Sequence, residues 1–340
     1  MKTAIMKTLA LALSLSLVPL APAMADALRC SGINLLDKLG VDDPESRKAI
    51  ADAAAKLPYG KGLLWKVTKE GVAPSYLFGT MHMADPRIVE LPKKAQIAFD
   101  QSKTLTLEIT EILDPKAMAS KAFGLMKYTA YLDGSTLDSK MTKEQIELLQ
   151  PKLAAKAGLP WNVAQKIRPW VLMGLLTVPA CEMARKKAGK PFLDLSLGQR
   201  AKQAGKKITA LETIEGQMSI MASLPEPMMV QAMVDTANME KQLDDIFETM
   251  ISLYIKGETG TIWAMMRYMG PNGLDLKKEA TGYSDFQRVV VDQRNESMAN
   301  ESAKIIDKGA AFIALGALHL PGEKGILSIL AQRGYKIISQ

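Results

Sequence analysis

The chain contains two histidines, and both close the same short pattern. Tyr76-Leu77-Phe78-Gly79-Thr80-Met81-His82 and Phe312-Ile313-Ala314-Leu315-Gly316-Ala317-Leu318-His319 each run from an apolar stretch into Gly-x-x-His. Pro86 and Pro321 follow within a few residues. At an average glycine frequency of about 7%, both histidines would have a glycine three positions upstream by chance only about 0.5% of the time. The match therefore asks for a shared cause. A neutral imidazole is the commonest protein ligand for a transition metal. Two imidazoles and a carboxylate, with positions left for water, make a hydrolytic metal site. Glu108 closes the run that follows the first histidine loop and is the natural carboxylate, as ligand or as general base. Two satisfied core histidines are the plain alternative, and a non-catalytic protein holding a metal or haem is the competing functional reading.

The surrounding pattern indicates how such residues would be brought together. Gly62 to Thr68 and Ser75 to Thr80 read as two strands joined by the Gly71–Pro74 turn, which makes them antiparallel. After His82 come a loop, a helix from Leu91 to Gln101 and a strand from Thr104 to Ile109. That order implies parallel strands with a helical crossover. The C-terminus repeats the layout: strand 312–315, Gly-x-x-His, helix 323–332 and strand 335–338. In parallel sheets, sites form beyond the carboxyl ends of the strands, where both motifs fall. Gly79 and Gly316 lack a Cβ, so the backbone can turn sharply or approach closely there.

Between the two units the apolar spacing is helical: Asp114–Tyr131, Thr142–Ala157, Val171–Lys186, Leu195–Ala204, one long helix Glu226–Lys256, then Gly260–Met269 and Tyr283–Lys308. A short strand, 208–211, interrupts them, and Pro160, Pro169, Pro225 and Pro271 mark boundaries. The expected fold class is α/β: a small mixed β-sheet built from two strand–Gly-x-x-His–helix–strand units, with a large α-helical insertion over about 113–308. Residues 26–340 are expected to form a single domain.

The first 25 residues read as a signal peptide. Lys2 and Lys7 give the basic region, Leu9 to Leu20 an apolar stretch too short to span a bilayer, and Ala23-Met24-Ala25 a small-x-small cleavage site. The expectation is a periplasmic or secreted chain, cleaved after Ala25 and not membrane-spanning. Such a compartment favours a disulfide between Cys30 and Cys181, two separate buried thiols being the alternative. The formal charge is +7, with 43 basic residues scattered among 36 acidic ones. No basic stripe interleaved with aromatics stands out, so nucleic acid is not an expected partner. Of the 21 methionines, many follow helix faces in the insertion, as core packing requires. An adaptable peptide groove is the second reading and a copper site the third.

Ser75 to His82, Leu107-Glu108, Leu211-Glu212-Thr213, Arg294-Asn295 and Gly316 to Gly322 together resemble the TraB/GumN family. That family includes the TraB pheromone-shutdown and animal Tiki proteins and is related in fold to the ChaN and erythromycin-esterase proteins. The resemblance implies a metalloprotease that uses a divalent metal, manganese or cobalt rather than zinc, on a peptide or protein substrate. It implies His82 and His319 as metal ligands, Glu108 as ligand or general base, and Arg294 as a further partner in the site. Arg294 is then placed to stabilise an oxyanion, a helix-surface ion pair being the blander role. Asp194 and Glu212 are expected as further ligands or supporting groups, with a structural salt bridge as the alternative for each.

Overall fold

A computed structural model of the chain describes residues 30–340 apart from 271 and 272. The leader, its Ala25 cleavage point and Pro271 lie outside the described residues. A six-stranded mixed sheet is built from β1 (Leu64–Thr68), β2 (Ser75–Thr80), β3 (Thr104–Leu107), β4 (Lys207–Ala210), β5 (Ala311–Gly316) and β6 (Lys336–Ser339). In these numbers the spatial order is β4-β3-β5-β2-β1-β6. β1 runs antiparallel to both of its neighbours, and the four strands from β4 to β2 are mutually parallel.

β5 lies inside the sheet and is covered on both faces, which explains its unbroken apolar run. Phe312 and Ala314 point into a core with Phe78, Phe99, Leu105 and Leu193. Ile313 and Leu315 point the opposite way, into a core with Trp65, Leu77, Met298 and Leu327. This period-two alternation places one helical layer against each face. The crossover helix α1 (Lys93–Gln101) closes the first unit. Beyond it, α2 (Pro169–Thr177), α3 (Ala180–Lys187), α4 (Leu193–Gln203) and α5 (Gln293–Ile306) approach the parallel strand ends, and α6 (Ile326–Gln332) closes the second unit. Part of the intervening helical stretch packs around its own apolar cluster, which includes Leu149, Leu153, Leu172 and Met233.

The two Gly-x-x-His strands are direct neighbours. Gly79 pairs with Leu315 and Thr80 with Gly316, so the motif glycines are one register step apart. A Cβ on Gly79 would come within 2.9 Å of Ala317 Cα and Leu320 Cδ1. Glycine is needed at that position because the second motif's loop packs directly on the first motif's strand.

Several boundaries differ from the periodic reading. The run Val171–Lys186 is two helices, because Pro179 has no amide hydrogen and pushes Val178 to an extended conformation. The expected long helix 226–256 divides into Glu226–Asn238 and Leu243–Ile255 around a short 3-10 turn. Asp244 and Asp245 in the first turn of the second piece favour a new start there. A helix at Leu35–Asp42, capped by the Asn34 side chain, precedes the one at Pro44–Ala55. Met229, Met233, Met265 and Met298 are buried in the core. Among the described residues no helix is long and apolar enough to cross a membrane.

Candidate metal centre

The parallel strands β2, β3, β4 and β5 end at one edge of the sheet, and the sequence-selected side chains gather there in two groups. The first belongs to β2. His82 Nδ1 donates to Asp194 Oδ2 at 2.8 Å, and Thr80 Oγ1 donates to Asp194 Oδ1 at 2.8 Å. Asp194 is 3% exposed and lies in the first turn of α4, where a carboxylate suits the positive helix end. The second group surrounds Arg294, in the first turn of α5. Its Nη2 donates to Glu108 Oε2 at 2.7 Å and to Glu212 Oε2 at 2.6 Å, and its Nε donates to Glu212 at 3.1 Å. Its Nη1 donates to His319 Nε2 at 3.3 Å.

Glu108 lies one residue beyond β3. Its Oε1 accepts from the Gly316 amide at 2.6 Å, so the side chain extends the hydrogen bonding of the sheet edge by one step. A Cβ on Gly316 would stand 3.1 Å from Glu108 Oε1 and 3.3 Å from His319 Cδ2. The missing Cβ therefore leaves a cradle between the carboxylate and the imidazole. His319 is 6% exposed, and its Nδ1 donates to Asn295 Oδ1 at 2.7 Å. Asn295 Nδ2 donates to Lys324 O at 2.9 Å, which fixes the amide orientation and hence the His319 tautomer. A π-helical turn at Phe286–Asp292 leads into α5, and Arg294 Nη1 donates back to Val290 O at 3.4 Å. Single π turns recur where a helix aims side chains at a site.

These surroundings drive the two imidazoles apart electrostatically. The Asp194 charge raises His82 to about 9, against an opposing desolvation. Burial lowers His319 to about 4, helped by Arg294 and opposed by Glu108. Burial alone would raise Glu108, yet His319, His82, Arg294 and the Gly316 amide hold its carboxyl down to about 2. Burial works against the Arg294 charge, but Glu212 and Glu108 raise its pKa further.

His82, Glu108 and Asp194 line a cavity of about 660 Å³ that residues of α2 and α3 also border. Arg294 and His319 do not line it.

The donor set fits a divalent ion in kind. Each imidazole has its Nδ1 held by an oxygen acceptor, the support usual for ligating histidines, which leaves Nε2 for a metal. Two carboxylates, Glu108 and Glu212, share the one Arg294 guanidinium, so the pocket favours a further cation. The Gly316 cradle supplies space beside Glu108 and His319. Among the described residues, however, no three His, Cys, Asp or Glu side chains stand together in metal-holding positions. The Arg294 guanidinium occupies the approach to His319 Nε2 in this arrangement.

All the sequence-selected residues reach this edge. Asp194 supports His82, and Glu212 supports Arg294. Cys30 and Cys181 form a disulfide, with Cα atoms 5.2 Å apart, at the start of α3. Three contributors had no assigned role in the sequence reading. Gln217 Nε2 bridges Glu108 at 3.0 Å and Glu212 at 3.1 Å. Asn295, adjacent to Arg294, orients His319, and Thr80 orients Asp194. Asn295 and Thr80 carried a sequence signal, through the Arg294-Asn295 pair and the Ser75 to His82 motif; Gln217 carried none.

A model of the TraB/PrgY/gumN family matches residues 63–338. Among curated proteins, "Metalloprotease TIKI1" of Danio rerio is 24% identical over 81% of this chain and 62% of its own length. "Metalloprotease TIKI1" of Homo sapiens is 23% identical over 81% of this chain and 61% of its own. "Uncharacterized protein YbaP" of Shigella flexneri is 22% identical over 78% of this chain and 90% of its own. The chain thus spans about three fifths of the length of the animal relatives it matches. No solved structure matches it.

Proposed function

The chain belongs to the TraB/PrgY/gumN family, and from that membership we propose that it is an exported, divalent-metal-dependent peptidase. The observation that carries the reading is the pair of Nδ1-anchored imidazoles at the ends of adjacent parallel strands, with Glu108 on the same edge and a cavity in front. The animal relatives named metalloproteases support it at low identity. His82, His319 and Glu108 would hold the ion, with manganese or cobalt preferred over zinc. A divalent ion there supplies Lewis acidity, polarising a peptide carbonyl and acidifying water.

The chain's own residues divide the remaining work. With its carboxyl held to about 2, Glu108 stays ionised at any working pH. That suits a ligand better than a general base, whose pKa should lie near the working pH. Asp194 and Asn295 orient the two imidazoles and fix which nitrogen faces inward. Arg294 is fully engaged by Glu108, Glu212, Val290 and His319. It therefore acts as a positioning residue that keeps two buried carboxylates in place, rather than as an oxyanion donor. We place the mature chain, cleaved after Ala25, in the periplasm or outside the cell.

The test is cleavage of a peptide library, read by mass spectrometry, after chelation and reloading with Mn, Co or Zn. The expected result is cleavage restored by Mn or Co and absent from His82→Ala and His319→Ala. Metal uptake without cleavage of any peptide would replace this reading with that of a non-catalytic metal-binding protein.

A further inference from the structure

The cavity in front of His82 has walls of uneven character. Ile112, Val171, Leu175 and Val178 give it apolar lining, and Lys186 and Lys190 border it as well. Its volume of about 660 Å³ is in the range of sites that enclose a ligand larger than one side chain.

Each acid lining this space is already engaged by donors of the protein. Glu182 Oε1 accepts from the Ala84 amide at 2.6 Å, and its Oε2 accepts from Arg185 at 3.1 Å. Glu108 is engaged by Arg294, and Asp194 by His82 and Thr80. Lys186 and Lys190 are exposed, and among the described residues neither is within ion-pair distance of a carboxylate. The charged side chains bordering the cavity without an ion-pair partner are therefore Lys186 and Lys190.

These lysines are mounted on a fixed element. Cys181 ties α3 to Cys30, and Arg185 is buried against Asp85 at 3.1 Å. At the other end Gly189 takes a φ of +70°, and the Lys190 amide donates to Arg185 O at 3.0 Å. That left-handed turn, which glycine adopts freely, ends the helical run, and Lys190 beyond it lines the same cavity as Lys186. Two ammonium groups beside an apolar cleft complement a chain that carries an apolar side chain and a carboxylate together.

We propose that the cavity selects acidic peptide segments, with an apolar side chain against Leu175 and Val178 and an acidic side chain held by Lys186 and Lys190. This substrate class rests on the peptidase reading of the same site. Gly174, on α2, supplies a steric test. It lines the cavity, and a Cβ there meets nothing within 4 Å. A leucine at that helical position would enter the space without straining the fold.

The experiment measures fluorescence anisotropy of two labelled peptides on the purified full chain loaded with manganese. Both share one apolar core and carry N-methylated backbones that resist cleavage. One has flanking glutamates and the other flanking lysines. The expected result is at least tenfold tighter binding of the acidic peptide, with the gap shrinking as salt is raised. It should close or reverse in the Lys186→Glu/Lys190→Glu double variant, and Gly174→Leu should weaken both peptides. Equal binding of the two peptides, or a preference unchanged in the double variant, would overturn the inference. The cleavable counterparts separate it from the peptidase reading. Selective binding without cleavage sinks the peptidase and leaves the ligand class. Cleavage without charge selectivity does the reverse.

Discussion

The two Gly-x-x-His units share a layout but place their histidines in opposite electrostatic settings. His82 projects into the cavity and is backed by a carboxylate, Asp194, which raises it to about 9. His319 is buried and backed by an amide, Asn295, with a guanidinium on its other nitrogen, and burial lowers it to about 4. The motif therefore fixes where an imidazole stands, while the residue behind Nδ1 fixes how readily it takes a proton. Arg294 sharpens the contrast, because it touches only the second histidine.

The largest way to break the comparison is Arg294→Met. It would leave Glu108 and Glu212 as buried carboxylates without their cation. Removing one side of a buried pair costs about 3–5 kcal/mol, so urea denaturation should show a lower midpoint and an unfolding free energy reduced by that amount. An unchanged midpoint would mean that the carboxylates are not held by Arg294. Next is the disulfide, which ties the start of α3, a helix bordering the cavity that His82 lines, to Cys30. Replacing both Cys30 and Cys181 by Ser should cost about 2–4 kcal/mol. Thermal melting with and without reductant reads this, and only the wild type should respond to reductant.

Exchanging the backing residues sharpens the comparison further. With metal chelated, Asp194→Asn should bring His82 down from about 9 toward the ordinary imidazole value near ~6.5. Asn295→Asp should raise His319 above about 4, both followed by NMR titration of the ring protons. The same shifts predict two opposite limbs in stability against pH. His82 binds its proton more tightly when folded, so its contribution is complete below the unfolded value near ~6.5 and is lost as pH rises through about 9. His319 binds its proton less tightly when folded, so its contribution is present above ~6.5 and is lost as pH falls toward about 4. Each exchange should flatten its own limb and leave the other. A pH profile in which both limbs respond to one exchange would contradict the assignment.

Much of the scaffold could be read from the chain because it rests on local pattern. The apolar run at 312–315 and the Gly71–Pro74 turn identify strands and a hairpin through period and turn chemistry, and the β5 and β1–β2 elements follow them. Boundaries set by one residue were less visible. Pro179 divides a periodic stretch, and the break near Met239 has no proline or glycine to mark it. At the site, His82, His319 and Glu108 stand out because their types and positions are rare or end a strand. Gln217 does not. It reaches Glu108 across 109 positions through an ordinary helical turn, and only the packing of that helix on the sheet edge gives it a partner. Thr80's bond to Asp194 is hidden for the same reason, with 114 positions between them. Long-range polar contacts of this kind leave no trace in spacing.

The central claim is that the two histidines serve one divalent ion, and metal stoichiometry tests it most directly. The wild-type chain, His82→Ala and His319→Ala would be stripped with chelator and dialysed against manganese. Bound metal would then be counted by elemental mass spectrometry and its affinity measured by calorimetry. The predicted result is about one ion per wild-type chain and loss of binding in both variants. Metal retained at full stoichiometry in either variant would contradict the shared site.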